Sequence, residues 1–287
     1  MFFFPGRGEH QKLSFGAFAT LPLGEFLKRE AAPEDLWVFI HIPKTAGSSF
    51  AAEWSELQRP YRNVHVDYED RDTPYDTKLE RAVDQFIADA ATTSYRACSG
   101  HLTMRHVLKI RKARPETRII SLLRDPVERV ISDFRYARTP AHPPYQEFIR
   151  QFPTIESYVD SPASQNKMFR FLTPDPKLRA NELVEFLDES TSFIGVTEMY
   201  PMSFNILLRL NGFNRMPTQH RGKTEATDLN KVERTPELIK RIRETNDRDV
   251  ALFNVVRERM IARRDDWRAS LKPAAAAEPK EAAPAKP

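Results

Sequence analysis

Between Leu36 and Phe50 the chain passes without a spacer from β-branched and aromatic residues into small and hydroxylated ones: LWVFIHIPKTAGSSF. Trp37 to Ile42 reads as a strand buried on both faces. The residues after it read as an anion-holding loop that feeds a helix. In that helix Phe50, Trp54 and Leu57 recur at spacings of four and three, and Ser48 or Ser49 is placed to cap it. Backbone N–H groups and the positive helix end then face one point, which favours an anion. The nucleotide-triphosphate P-loop has its lysine directly after a glycine, whereas here Pro43-Lys44 comes first and Gly47 follows three residues later. The loop is P-loop-like without being a Walker sequence.

The 287 residues suit one large α/β domain, alone or with appendages. Lys and Arg number 44 against 40 Asp and Glu, and a net charge of +4 at this size gives no reason to expect a nucleic-acid partner. Cys98 is the single cysteine, which excludes an intramolecular disulfide and any multi-cysteine metal site. That usage favours a reducing, cytoplasmic compartment. The opening Met1-Phe-Phe-Phe-Pro5 lacks the charged region of a signal peptide, and no apolar run approaches the roughly 18 residues that cross a bilayer.

Residues 1–34 lack sustained periodicity and read as an arm over the domain. Tyr61 to Asp67 alternates as a short strand, Glu69 to Thr77 is a charged loop, and Lys78 to Ala90 carries Leu79, Val83, Phe86 and Ile87 on one helical face. Tyr95 to His101 is a further strand, with Gly100 allowing close backbone approach beside His101. A histidine at the carboxyl end of a sheet strand sits where open α/β sheets bind ligands. His106, five residues on, reads as a surface residue. Thr117 to Arg124 is a third apolar strand, and Asp125-Pro126 starts a helix with Val127, Val130, Ile131 and Phe134 toward the core. Arg124 at the strand end and Ser132 eight residues later are placed to meet a phosphate. Arg129 reads as an ion-pair partner of Asp125 or Asp133.

Beyond the proline-rich 140–144, short helices are expected at Tyr145–Phe152 and Thr154–Asp160, then an amphipathic one at Lys177–Ser190 and a last strand at Ser192–Val196. A helix through Met202, Ile206, Leu207 and Leu210, a basic loop at Gln219–Thr224 and helices at Thr235–Glu244 and Asn246–Arg263 complete the pattern. The expected architecture is α/β: a P-loop-like three-layer fold whose mainly parallel central sheet is flanked by helices. The expected organisation is an arm at 1–34, a domain at 35–265, and an Ala/Pro/Lys-rich disordered tail at 266–287.

HIPKTAGSS at residues 41–49 resembles the 5′-phosphosulfate loop of sulfotransferases that use 3′-phosphoadenosine 5′-phosphosulfate (PAPS), in particular the heparan/chondroitin 2-O-sulfotransferase-like branch. RDPVERVIS at 124–132 is similar to the 3′-phosphate motif of that family, and FIGVTE at 193–198 is also similar. Ser164 to Leu172 corresponds loosely to a helix near nucleotide and acceptor. The resemblance implies a PAPS-dependent O-sulfotransferase with His101 as general base and Lys44 at the leaving phosphate. It implies that Lys44, the N–H groups of Thr45, Ala46, Gly47, Ser48 and Ser49, and the two serine hydroxyls hold the 5′ end. Arg124 and Ser132 would hold the 3′-phosphate, and Arg221 and Lys223 would belong to a basic segment closing over the nucleotide. No metal is implied. The implied acceptor is a hydroxyl of a carbohydrate, glycolipid or small molecule, with oligomeric state left open. Eukaryotic relatives are Golgi membrane proteins with disulfides, so a bacterial cytoplasmic enzyme is the economical reading. A P-loop nucleotide kinase and a non-catalytic adenosine 3′,5′-bisphosphate-binding protein are the alternatives.

Overall fold

A computed structural model describes residues 13–28, 35–70, 72–142, 144–219, 224 and 227–271. Helices α1 (Phe15–Thr20) and α2 (Leu23–Phe26) precede strand β1 (Leu36–Ile40), which is followed by α3 (Gly47–Leu57), β2 (Tyr61–Asn63) and α4 (Tyr75–Asp89). Next come β3 (Ala97–Gly100), α5 (Met104–Ala113), β4 (Thr117–Leu123) and α6 (Pro126–Ala137). Helices α7 (Tyr145–Gln151), α8 (Ile155–Val159), α9 (Lys167–Leu172) and α10 (Ala180–Ser190) lead to β5 (Phe193–Val196). A 3₁₀ turn at Thr197–Met199, α11 (Tyr200–Arg209), α12 (Pro236–Thr245), α13 (Asp247–Ala262) and α14 (Arg264–Ser270) end the described chain.

The strands form one sheet in the order β2-β3-β1-β4-β5, and all four neighbouring pairs are parallel. The expected α/β architecture with a parallel sheet and flanking helices is therefore the observed one. Each residue of β1 is buried, which is why its sequence is a continuous apolar run rather than an alternating one. β1 and α3 are fastened by aromatic contacts, with Phe39 and Phe50 centroids 4.7 Å apart and Phe39 and Trp54 6.3 Å apart. The apolar stripe of α6 instead builds a separate cluster, where Val127, Val130, Ile131 and Phe134 meet Phe152, Tyr158 and Ile242.

Three local readings change, and the arm gains detail. Neither Ser48 nor Ser49 caps α3; the N-cap is Ala46, in the left-handed region with φ 60° and without a side-chain cap bond. Both serines lie inside the first turn. His106 is buried at 4% exposure, because it closes a capping box with Thr103 at the start of α5, its Nδ1 accepting the Thr103 N–H at 3.1 Å. The arm contains α1, capped by the Ser14 side chain, and Phe18 packs edge-on against Phe193 of β5 at 5.0 Å. Helix α14 continues the described chain past 265, and residues 272–287, with most of the expected tail, lie outside the described residues.

Gly100 owes its place to close approach. A Cβ there would lie 2.2 Å from the Val64 carbonyl oxygen, in the segment where the Val64 N–H bonds the Ser99 carbonyl at 2.7 Å. That oxygen belongs to backbone and has little room to retreat. Gly100→Ala is expected to cost about 1–3 kcal/mol of stability, as overpacking does; chemical denaturation read against the parent checks this, and an unchanged midpoint would refute it.

Candidate functional site

Sheet register places the three motif ends together. Ile40 pairs with Gly100 on one side and Ser121 on the other, so His41 and His101 leave the sheet side by side. Arg124 lies three residues beyond Ser121, about 10 Å farther along the strand direction, as Lys44 lies four beyond Ile40. β1 sends its connection toward β2 while β4 sends its toward β5, so the crevice between the ends of β1 and β4 is a topological switch point.

The loop from β1 to α3 turns twice through the left-handed region, at Lys44 (φ 68°) and Ala46 (φ 60°). Non-glycine residues there carry strain of order 1 kcal/mol each. The Thr45 hydroxyl is turned inward, donating to the Ile42 carbonyl at 2.9 Å, so Thr45 can offer a ligand only its backbone. Gly47 is required by the His41 ring, since a Cβ would lie 2.0 Å from the imidazole. Ser48 is exposed and Ser49 buried, both in the first turn, where the Ser49 N–H bonds the Ala46 carbonyl at 3.1 Å.

His101 Nδ1 lies 2.7 Å from the His41 carbonyl oxygen. A carbonyl only accepts, so Nδ1 carries the proton and Nε2 keeps its lone pair. The His41 ring sits 4.6 Å from that of His101. Burial holds His101 below the ordinary imidazole value, opposed by the bond to His41. His41, more deeply enclosed and facing His101 and Lys44, is pushed down to about 3. Both rings are neutral at pH 7.

The Lys44 ammonium lies 4.1 Å from the centre of the Tyr136 ring. Burial lowers its pKa, the Asp133 carboxylate raises it and Arg124 lowers it again. Arg124 donates from Nη1 to the Lys44 carbonyl at 3.2 Å, which joins the two motifs directly. Its Nη2 also lies 3.9 Å from Glu128, whose carboxylate is shared with Arg234. The helix start is as read: Asp125 accepts from the Val127 and Glu128 N–H groups, while its own N–H bonds Glu198 at 2.8 Å. Ser132, half-buried, stands one turn from Glu128 and one from Tyr136, on the face of α6 that meets Lys44 and Arg124. Arg221 and Lys223 lie outside the described residues.

Sequence reasoning missed a buried charge cluster beneath this face. Asp133 Oδ2 accepts from Lys167 Nζ at 2.6 Å, Tyr158 Oη at 2.8 Å and Arg129 Nη1 at 3.1 Å. Arg129, fully buried, also donates to the Ser164 carbonyl at 2.7 Å, so the expected helical pair is the root of a tertiary network. The donors draw Asp133 down to about 2 despite its burial. Lys167 and Asp133 also act on His101, in opposite senses. The signal in the sequence is two opposite charges, Arg129 and Asp133, four apart on one helix.

A cleft of about 350 Å³ opens beside His41 and His101, walled by Asn63, His65, Tyr68 and Tyr75. Among the described residues no three His, Cys, Asp or Glu side chains gather as a metal site, and no helix is long and apolar enough to cross a membrane.

No protein-family model matches the chain, and no curated protein matches it. One solved structure that matches is mouse sulfotransferase SULT7A1 complexed with PAP, at 16% identity and a TM-score of 0.25, covering 48% of this chain. The match likewise spans about half of that protein, 48% of its chain.

Two titrations follow from the neutral histidines. Because the His41 pKa is lower in the folded than in the unfolded chain, the unfolded chain binds the extra proton between about pH 3 and 6.5. Stability is full above that window and falls as pH drops through it, by about 1.4 kcal/mol per unit for this one group. His41→Phe, which keeps a ring, is expected to flatten the slope of unfolding free energy against pH. Lys167→Met removes a cation that lowers the His101 pKa and leaves Asp133, which raises it. An NMR titration of His101 should therefore move to higher pH, and a downward or absent shift would separate Lys167 from this site.

Proposed function

We propose that this chain is a sulfotransferase that moves a sulfuryl group from PAPS to a hydroxyl of a carbohydrate-type acceptor, with His101 as general base. The observation that carries this reading is the 3.2 Å bond from Arg124 to the Lys44 carbonyl, which puts the two anion-binding motifs on one crevice beside a histidine with a free Nε2 lone pair. The residues suit a doubly anionic nucleotide: an ammonium, a guanidinium and a helix N-terminus converge without a carboxylate in the loop from Pro43 to Ser49.

The donor supplies a sulfuryl group on a phosphate leaving group. His101 Nε2 takes the proton of the acceptor hydroxyl as the new O–S bond forms and the S–O bond to phosphate breaks. Lys44 and the N–H groups of residues 45–49 meet the charge that develops on the departing 5′-phosphate, with the Ser48 and Ser49 hydroxyls adding donors. Arg124 and Ser132 grip the 3′-phosphate, and Arg221 and Lys223 extend the basic wall. Tyr136 keeps the Lys44 chain in place from below. No step calls for a metal ion. The branch resembled here is the heparan/chondroitin one, and the single cysteine, buried in β3, fits a bacterial cytoplasmic setting. A nucleotide kinase would place its lysine directly after a glycine; a non-catalytic bisphosphate binder would have no use for a histidine held in the base tautomer.

The test is transfer of labelled sulfate from PAPS to a panel of hydroxyl acceptors, beside direct binding of adenosine 3′,5′-bisphosphate. His101→Ala is expected to lower kcat by about 10²–10⁴-fold with nucleotide affinity retained. Equal rates would remove His101 from the chemistry, and binding without any transfer would leave a nucleotide-binding protein. Arg124→Ala is expected to weaken adenosine 3′,5′-bisphosphate by roughly tenfold or more while affecting adenosine 5′-phosphate little. The same loss for both nucleotides would place Arg124 away from the 3′-phosphate.

A further inference from the structure

We propose that the cleft beside His101 takes an uncharged glycoside and disfavours acidic sugars, an assignment that rests on the sulfotransferase reading and narrows its acceptor class. The cleft volume of about 350 Å³ lies near the lower end of small-molecule sites. His101 lines it, so a hydroxyl seated there is within reach of the base.

Its outer wall is aromatic and open. Tyr68 is 62% exposed and Tyr75 45%, large values for residues with this much apolar surface. The rings of Tyr68 and His65 are stacked, 10° from parallel with centroids 6.5 Å apart. The His65 Nδ1 is occupied by the Val66 carbonyl at 2.9 Å, which leaves its other nitrogen to face hydroxyls, as the exposed Asn63 amide does. Flat rings beside dispersed neutral hydrogen-bonding groups match a sugar ring, with its apolar C–H face and hydroxyl edge.

Charge sets the sign of the selection. None of the cleft-lining side chains is a carboxylate, an ammonium or a guanidinium. The segment that carries the two tyrosines, residues 67–76, nevertheless holds five carboxylates, Asp67, Glu69, Asp70, Asp72 and Asp76, against the one cation Arg71 in its sequence; the five are exposed except half-buried Asp70. Local turns fix it: Asp67 accepts from the Glu69 N–H at 2.8 Å and Asp70 from the Thr73 N–H at 3.0 Å. The nearby Lys78 ammonium is bound to the Asp70 carbonyl. The acidic excess of the segment that brings Tyr68 and Tyr75 to the cleft repels a uronate or sulfated chain and leaves a neutral sugar unaffected. This is opposite to the polyanionic acceptors that the heparan/chondroitin resemblance suggests.

The matched probes are para-nitrophenyl β-glucopyranoside and para-nitrophenyl β-glucuronide, which differ in one carboxylate. With the full chain and PAPS, the glucoside should be favoured by about five- to tenfold in kcat/KM at low salt, and the gap should close as salt is added. Asp67→Asn, Glu69→Gln, Asp72→Asn and Asp76→Asn combined should narrow it too. Tyr68→Ala and Tyr75→Ala should each raise KM for the glucoside by about three- to tenfold, with affinity for adenosine 3′,5′-bisphosphate unchanged. Equal or better use of the glucuronide, or full activity of both tyrosine variants, overturns the assignment. Glycoside binding is also read alone, by saturation-transfer NMR, where binding of neither probe overturns it as well. Loss of nucleotide binding in the parent protein would count against the sulfotransferase reading instead, so the two failures are distinct.

Discussion

The height at which three adjacent parallel strands stop decides everything at the sheet edge. With Ile40 level with both Gly100 and Ser121, the histidine after β1 and the histidine after β3 emerge together, and the arginine after β4 comes level with the lysine of the β1 loop. A slip of one residue in any of these pairings would turn each strand's side chains to the opposite face. The apolar residues that fill β1, β3 and β4 thus serve the site by holding register. The bonds from the His101 ring to the His41 carbonyl and from the Arg124 side chain to the Lys44 carbonyl then tie neighbouring loops to one another.

The loop between β1 and α3 shows how packing substitutes for sequence signals. Two left-handed residues, neither of them glycine, bend the chain into the helix, while the glycine at 47 is reserved for the approach of an imidazole. The strain is sustained by what surrounds it: Thr45 closes the turn onto Ile42, Ala46 packs on the core, and the Lys44 stem runs to Tyr136. The ammonium is thereby held in a partly dry position, where its field is screened less than at an exposed site.

Much of this was legible in the chain. The runs Trp37–Ile42, Tyr95–His101 and Thr117–Arg124 announce buried strands, and Asp125-Pro126 announces a helix start, because each depends on local chemistry alone. Helix α5 was not read: Met104, Val107 and Ile110 recur at threes among basic residues, and its cap is an unusual one that uses His106. The Ala46 cap has no side-chain signature. Lys167 meets Asp133 only through the fold, 34 residues apart in sequence. The segment around Tyr68 was readable as a charged loop, yet only the turn that follows β2 brings its rings beside His101.

Asp133 has a consequence for how this protein tolerates change. A single carboxylate oxygen receives an ammonium, a guanidinium and a phenol, so deleting any one member leaves the others with charge they cannot discharge into water. Substitutions at 129, 133, 158 and 167 will therefore not combine additively, and one that is damaging alone can be repaired by a second. The four positions answer to substitution as one unit.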